Sequence, residues 1–119
     1  MALQHARPGE AIDIRPLGAR LREVATHALL KTHALEVIRV VLAAGEAQPR
    51  HRVAGELTLL CIEGQVQVEA GALSCRLDAG HLLLLPAGAE HSVRALADAS
   101  LLLTLQLPPG APGSASSTV

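Results

Sequence analysis

"GHLLLLPAGAEH", residues 80–91, decides the fold. Four consecutive leucines read as a strand with both faces against apolar neighbours. The Pro86-Ala87-Gly88 turn ends that strand, and His91 follows three residues after the glycine. Proline fixes the chain where the strand stops, and glycine permits turn dihedrals that other residues avoid. The stretch therefore reads as a strand mouth with an imidazole placed in it.

Working outward, the chain divides into short segments punctuated by glycine or proline. "HALLKT" and "LEVIRVVLAAG" read as two strands, the second rich in β-branched residues and closed by Gly45. "ELTLLCIEG" is a further strand. In "QVQVEAG", Val66 and Val68 alternate with polar neighbours, the mark of a half-buried strand. "LSCRLDAG", "HLLLLP", "HSVRAL" and "SLLLTLQL" complete the set, with turns at Glu63-Gly64 and Ala70-Gly71-Ala72. Ahead of them, "AIDIRP" predicts a short strand ended by Pro16, and "ARLREVAT" predicts a two-turn helix from Ala19 to Thr26. Short strands with no long crossover helix indicate an all-β antiparallel sandwich or barrel. The tail "PPGAPGSASSTV" has little to bury and is expected to be disordered.

Composition narrows the function classes. With 119 residues the chain suffices for one domain, and its formal net charge of −1 implies neither nucleic acid nor an anionic membrane as partner. It contains no Phe, Tyr or Trp, so base stacking, sugar stacking and aromatic cages are unavailable and the core must be aliphatic. No apolar run reaches the ~20 residues of a membrane helix. The first ten residues lack the apolar region of a secretory signal, which predicts a cytoplasmic protein. Cys61 and Cys75 stand outside any paired metal or redox spacing and read as buried apolar groups. No GxSxG, P-loop, GxGxxG or HExxH pattern occurs.

Two segments carry a family resemblance. In "GEAQPRHRVAGELTLLCIEG", Gly45 is followed by five residues and His51, with Gly64 thirteen residues further on. In "GHLLLLPAGAEH", Gly80, Pro86, Gly88 and His91 are spaced by five, one and two residues. These resemble the first and second motifs of the cupin superfamily, jelly-roll barrels with a double-stranded β-helix fold, and the separation from Gly64 to Gly80 fits a small single-domain member. The resemblance covers residues 35–107 and makes Gly45, Gly64, Gly80, Pro86 and Gly88 structural turn residues. Outside it, residues 1–34 read as an N-terminal extension whose strand and short helix pack on the barrel or on a partner, and residues 108–119 as a disordered tail.

The resemblance further implies an interior metal held by His, His, Glu and His. Position by position, the first ligand falls on His51 and the last on His91, but the second falls on Val53 and the carboxylate on Leu57, while Ala95 stands where the pattern has asparagine. Glu56 is one residue early, and a bulge at Gly55 would be needed to turn it inward. His51, Glu56 and His91 would then form a two-histidine, one-carboxylate site for a divalent iron, zinc, manganese or nickel ion. Without the metal, His51 and His91 remain as ligand-binding groups for a small molecule such as an organic acid, or as barrel histidines bonded to each other, to water or to a carbonyl. Arg50 and Arg52 flank His51 and are expected to face outward; His5, His27, His33 and His81 are expected at the surface.

If Leu57 faces inward, so do Leu59 and Cys61, which leaves Thr58, Leu60 and Ile62 outside. Such an apolar outer face requires a cover, either the N-terminal segment or a second copy in a homodimer. Three function classes follow: a small-molecule-binding module, a metal-dependent oxygenase or isomerase, and a structural or regulatory dimer.

Overall fold

The structure, a computed structural model, describes residues 5–108. Most of the expected tail therefore lies outside the described residues. Among the described residues, nine strands form two antiparallel sheets. The five-stranded sheet has the order β1 (His27–Lys31), β2 (Leu35–Leu42), β9 (Ala99–Gln106), β4 (Leu57–Glu63) and β7 (Leu82–Leu85). The four-stranded sheet has the order β3 (Ala47–Arg52), β8 (Glu90–Ala95), β5 (Gln65–Ala70) and β6 (Leu73–Asp78). Consecutive strands cross repeatedly between the sheets, as in a jelly roll. Among the described residues, no helix is long and apolar enough to cross a membrane.

Strand periodicity builds the core. Ile38 pairs with Leu103 and Val40 with Leu101 across β2 and β9, and Leu59 faces Leu103 from β4. The four-stranded sheet supplies Val66, Val68, Val93 and Ala95, all buried. With no Phe, Tyr or Trp available, the core is filled mainly by Leu, Val and Ile, with Cys61, Ala95 and Ala99 among them, the larger side chains each contributing about 1.5 to 3 kcal/mol of burial. Gly64, in the turn between β4 and β5, has φ +80°, and a Cβ there would run into the carbonyl of Asp98. Gly45, Gly80 and Gly88 also have positive φ, as turn residues should.

The N-terminal segment differs from expectation in two places. Residues 11–16 form no strand, because the Asp13 carboxylate accepts the Arg15 backbone N–H at 2.9 Å and Pro16 has no N–H to give. In place of a two-turn helix there is a six-residue 3-10 helix, Gly18–Glu23, with Val24 already extended. So short a segment cannot offset the cost of α-helix nucleation alone. It is held by tertiary bonds instead. Glu63 Oε2 and Oε1 accept the N–H groups of Leu17 and Gly18 at 2.9 and 3.0 Å, Arg39 Nη2 donates to the Arg15 carbonyl at 2.6 Å, and Arg22 forms two 2.9 Å bonds with Asp98. β1 pairs with β2 at the edge of the five-stranded sheet.

The segment covers part of that sheet's outer face. Leu21 is buried there, whereas Leu82 and Leu84 on β7 remain 66% and 60% exposed.

Candidate functional site

β3 carries the first site histidine, although "AQPRHR" is polar and contains proline, so it does not read as a strand in isolation. Its partner β8 is the strand to which the Pro86-Gly88 turn delivers His91. His51 and His91 are direct cross-strand partners, which places both rings on one face. Their centroids are 4.8 Å apart and their planes tilt by 52°. His91 is 1% exposed and His51 is half-buried. Arg50 and Arg52 are exposed, as alternation requires.

The pairing of β3 with β8 is interrupted. Gln48 pairs with Val93 and His51 with His91, so three steps on β3 match two on β8. The extra residue is a bulge at Pro49-Arg50, where proline could not have donated a ladder bond. Its effect is a change of parity. Gln48, which simple alternation from His51 would turn outward, shares the inner face with Val93 and becomes part of the site. Sequence reasoning missed Gln48; the signal was Pro49 inside a strand, which marks a bulge or an edge.

Three polar atoms on this inner face are buried without a hydrogen-bond partner among the described residues: Gln48 Oε1, His51 Nε2 and His91 Nε2. Buried polar groups are nearly always bonded, so three together require an explanation. His91 Nδ1 lies 3.2 Å from the Ala89 carbonyl. Burial pushes the His91 pKa below the ordinary histidine value; the Ala89 carbonyl opposes that shift and the neighbouring His51 adds to it. His91 is therefore held neutral near pH 7.

Glu56 does not join them, which corrects the three-ligand expectation. No bulge forms at Gly55. That glycine is buried against β9, where a Cβ would collide with the Gln106 carbonyl. The chain is further pinned there by Gln106 N–H donating to the Glu56 carbonyl at 2.9 Å and by Glu56 N–H donating to Gln106 Oε1 at 3.2 Å. Glu56 is exposed and lines a groove on the outer face with Thr58, Leu84 and Thr104. Val53 and Leu57, at the other two ligand positions, are buried apolar side chains. Among the described residues no three His, Cys, Asp or Glu side chains are grouped to hold a metal. Two imidazoles beside two aliphatic side chains supply fewer than the three or four protein donors of an ordinary divalent-ion site, and the Gln48 amide oxygen is the further lone pair on this face.

The remaining histidines stand apart from the site. His5, His33 and His81 are exposed, His81 Nδ1 accepting the Asp78 N–H at 3.0 Å, and the His27 ring bonds the Ala25 carbonyl at 2.8 Å. Cys61 is buried in the core and Cys75 is partly buried; both are free thiols.

Two facing sheets closed around an inward histidine pair give the chain the double-stranded β-helix fold seen in cupins. Solved structures agree. A cupin superfamily protein from Desulfitobacterium hafniense superimposes with a TM-score of 0.72 at 17% identity, covering 87% of this chain and all (100%) of that one. A conserved protein of unknown function from Streptococcus pyogenes gives 0.71 at 17% identity, covering 92% and 97%. KdgF from a Halomonas species gives 0.62 at 19% identity, covering 68% and 77%. No protein-family model matches the chain, and no curated protein matches it by sequence.

Proposed function

We propose that the protein is a cytoplasmic small-molecule-binding cupin that acts as a homodimer, with His51 and His91 as the polar anchors of an otherwise aliphatic pocket. One observation carries the reading: two imidazoles face each other across β3 and β8, and each presents a buried Nε2 that no group among the described residues satisfies. A pocket with apolar walls and a few convergent polar atoms is the usual form of a ligand site.

The dimer reading rests on β7. This strand is the free edge of the five-stranded sheet, and its outward Leu82 and Leu84 adjoin Leu60 and Thr58 on β4. An apolar strip running to an unpaired edge is suited to a second copy across a two-fold axis.

Histidine-selective NMR with a panel of small acids, amines and polyols tests the pocket. Fragments that bind should shift the His51 and His91 ring signals together, and the shifts should vanish in His91→Ala. If no fragment moves either ring, the reading is wrong.

A further inference from the structure

The outer face of the five-stranded sheet holds a second polar constellation, away from the histidine pair. Ile38 and Val40, on either side of Arg39, point into the core, so alternation sets Arg39 on the outer face of β2. His27 on β1 is its direct cross-strand partner and stands beside it. Residues 13–17 and the 3-10 helix rise around this pair and enclose a half-open cleft of about 540 Å³. A space of that size suits a small organic molecule. Its titratable lining is Arg15, Arg20, Arg39, His27 and Asp13, while Val24 and Leu29 add apolar wall.

The charges around the cleft do not balance. Asp13 accepts from Arg15 Nε and Nη2 at 3.0 and 2.9 Å. Glu63, outside the lining, lies 3.6 Å from Arg39 Nη2. Two carboxylates thus stand against three guanidinium groups. The group left over is Arg20, which is exposed and makes no side-chain hydrogen bond or ion pair among the described residues. Glu23 lines an adjoining cleft with His5 and forms no ion pair with it. A donor is unspent as well. Arg39 is 4% exposed, and its Nη2 serves the Arg15 carbonyl and the Ser100 hydroxyl. Its Nε is buried with no partner among the described residues. A buried N–H on a charged group is costly to leave open, so it calls for an acceptor.

We propose that this cleft binds a small organic phosphate, its oxygens held by Arg15 and Arg20 at the rim above the Arg39 guanidinium. The donors come from three directions: the 13–17 stretch, the 3-10 helix and the sheet. A phosphate dianion turns three acceptor oxygens outward, and guanidinium forks match them, whereas a carboxylate offers two oxygens in one plane. His27 is tied through Nδ1 to the Ala25 carbonyl at 2.8 Å, and a dianion beside it favours the charged ring, whose Nε2 then donates. The site lies on the opposite face of the sheet from the barrel interior, so it stands independently of the histidine pocket.

The test uses the full chain with 15N-labelled arginine side chains at neutral pH and low salt, and three matched probes: glycerol 3-phosphate, glycerate and glycerol. Glycerol 3-phosphate should shift the Nε–H signals of Arg15, Arg20 and Arg39 together. Glycerate should bind at least about tenfold more weakly, since it carries less charge and fewer acceptors, and glycerol should not bind. Arg20→Gln should weaken the phosphate ester about fivefold or more. Arg52→Gln, on the four-stranded sheet, should leave its affinity unchanged. Asp13→Asn removes the carboxylate that competes for Arg15 and should raise the affinity. The proposal is overturned by no arginine shift at millimolar ester, by equal shifts over every arginine, or by glycerate binding as tightly. It is equally overturned by an affinity that Arg20→Gln leaves unchanged or that Asp13→Asn fails to raise.

Discussion

Replacing Glu63 by alanine should unfold the chain far more readily than its place beside a turn suggests. Its carboxylate joins three parts of the molecule: the N–H groups of Leu17 and Gly18 at the start of the 3-10 helix, the Ser100 hydroxyl at 2.5 Å on β9, and the Arg39 guanidinium at 3.6 Å on β2. Arg39 and Glu63 side chains are only 5% and 15% exposed. Glu63→Ala leaves the guanidinium with only neutral acceptors, Ser100 Oγ and the Arg15 carbonyl. Breaking one side of a buried pair costs about 3–5 kcal/mol, while the Leu17 and Gly18 amides, near the surface, regain water and add little. For a domain of this size that corresponds to a melting temperature lower by roughly 10–20 °C. Urea unfolding should show the loss in the midpoint with an unchanged slope. The double variant Arg39→Met, Glu63→Gln should return to within about 1 kcal/mol of wild type, because the charge and its counter-charge leave together. A loss below about 1 kcal/mol in Glu63→Ala, or no recovery in the double variant, would refute the view that an uncompensated buried charge is the cause.

Other outcomes follow from the same geometry. Stability should fall with acid in two separate windows. The folded His91 resists the proton that the unfolded ring takes up at its ordinary value of 6.5, so stability is full above that pH and declines as pH drops below it; His91→Gln should flatten this limb in urea melts at successive pH values. Burial raises the Glu63 pKa, but the bonds from Leu17, Ser100 and Gly18 and the charge of Arg39 outweigh it and leave it below the ordinary 4.5. Its contribution is therefore present above pH 4.5 and is lost as the pH falls toward the folded value, a limb that Glu63→Gln should remove. Gly64→Ala combines positive φ with a backbone collision and should cost at least about 1–3 kcal/mol, measured by thermal melting. Leu84→Glu should convert a dimer to a monomer in light scattering without lowering pocket affinity; a wild type that is monomeric at high concentration removes the dimer.

The strands legible in the sequence were those whose side chains alternate or are β-branched, such as "QVQVEA" and "LEVIRVVL", because burial of one face imposes that period. The turns at Gly80, Pro86 and Gly88 were legible for a different reason, since their backbone angles demand those residue types. What escaped was held by long-range partners. The extended stretch at residues 11–16 and the 3-10 helix take their conformation from Asp13, Glu63 and Arg39, and no local pattern encodes those contacts. The site was half legible. His51 and His91 stood at motif positions and do face each other, but the position of the bulge was not readable from glycine alone. Gly55 looked like the flexible point, yet its missing Cβ serves the close approach of Gln106; Pro49 carries the bulge.

That displacement of the bulge determines the chemistry. A bulge at Gly55 would have added a carboxylate to two imidazoles and made a cation site. The bulge at Pro49-Arg50 instead adds an amide, while the buried side chains of Val53 and Leu57 occupy the two positions where the family pattern has donors. A carboxylate brings negative charge to a cation, whereas an amide oxygen beside a neutral imidazole lone pair brings two uncharged lone pairs that hold a cation less strongly. With the extra residue one strand earlier, the inner face gains an amide in place of a carboxylate. The two devices are separable by substitution. Val53→His with Leu57→Glu puts a second imidazole and a carboxylate at the family's ligand positions and should confer zinc binding visible by calorimetry, whereas the wild type should take up zinc at least about a hundredfold more weakly, since a third and fourth donor are what hold the ion. Equal zinc affinity in the two proteins would show that the histidine pair suffices for a metal and that the aliphatic side chains at 53 and 57 do not decide the site's chemistry.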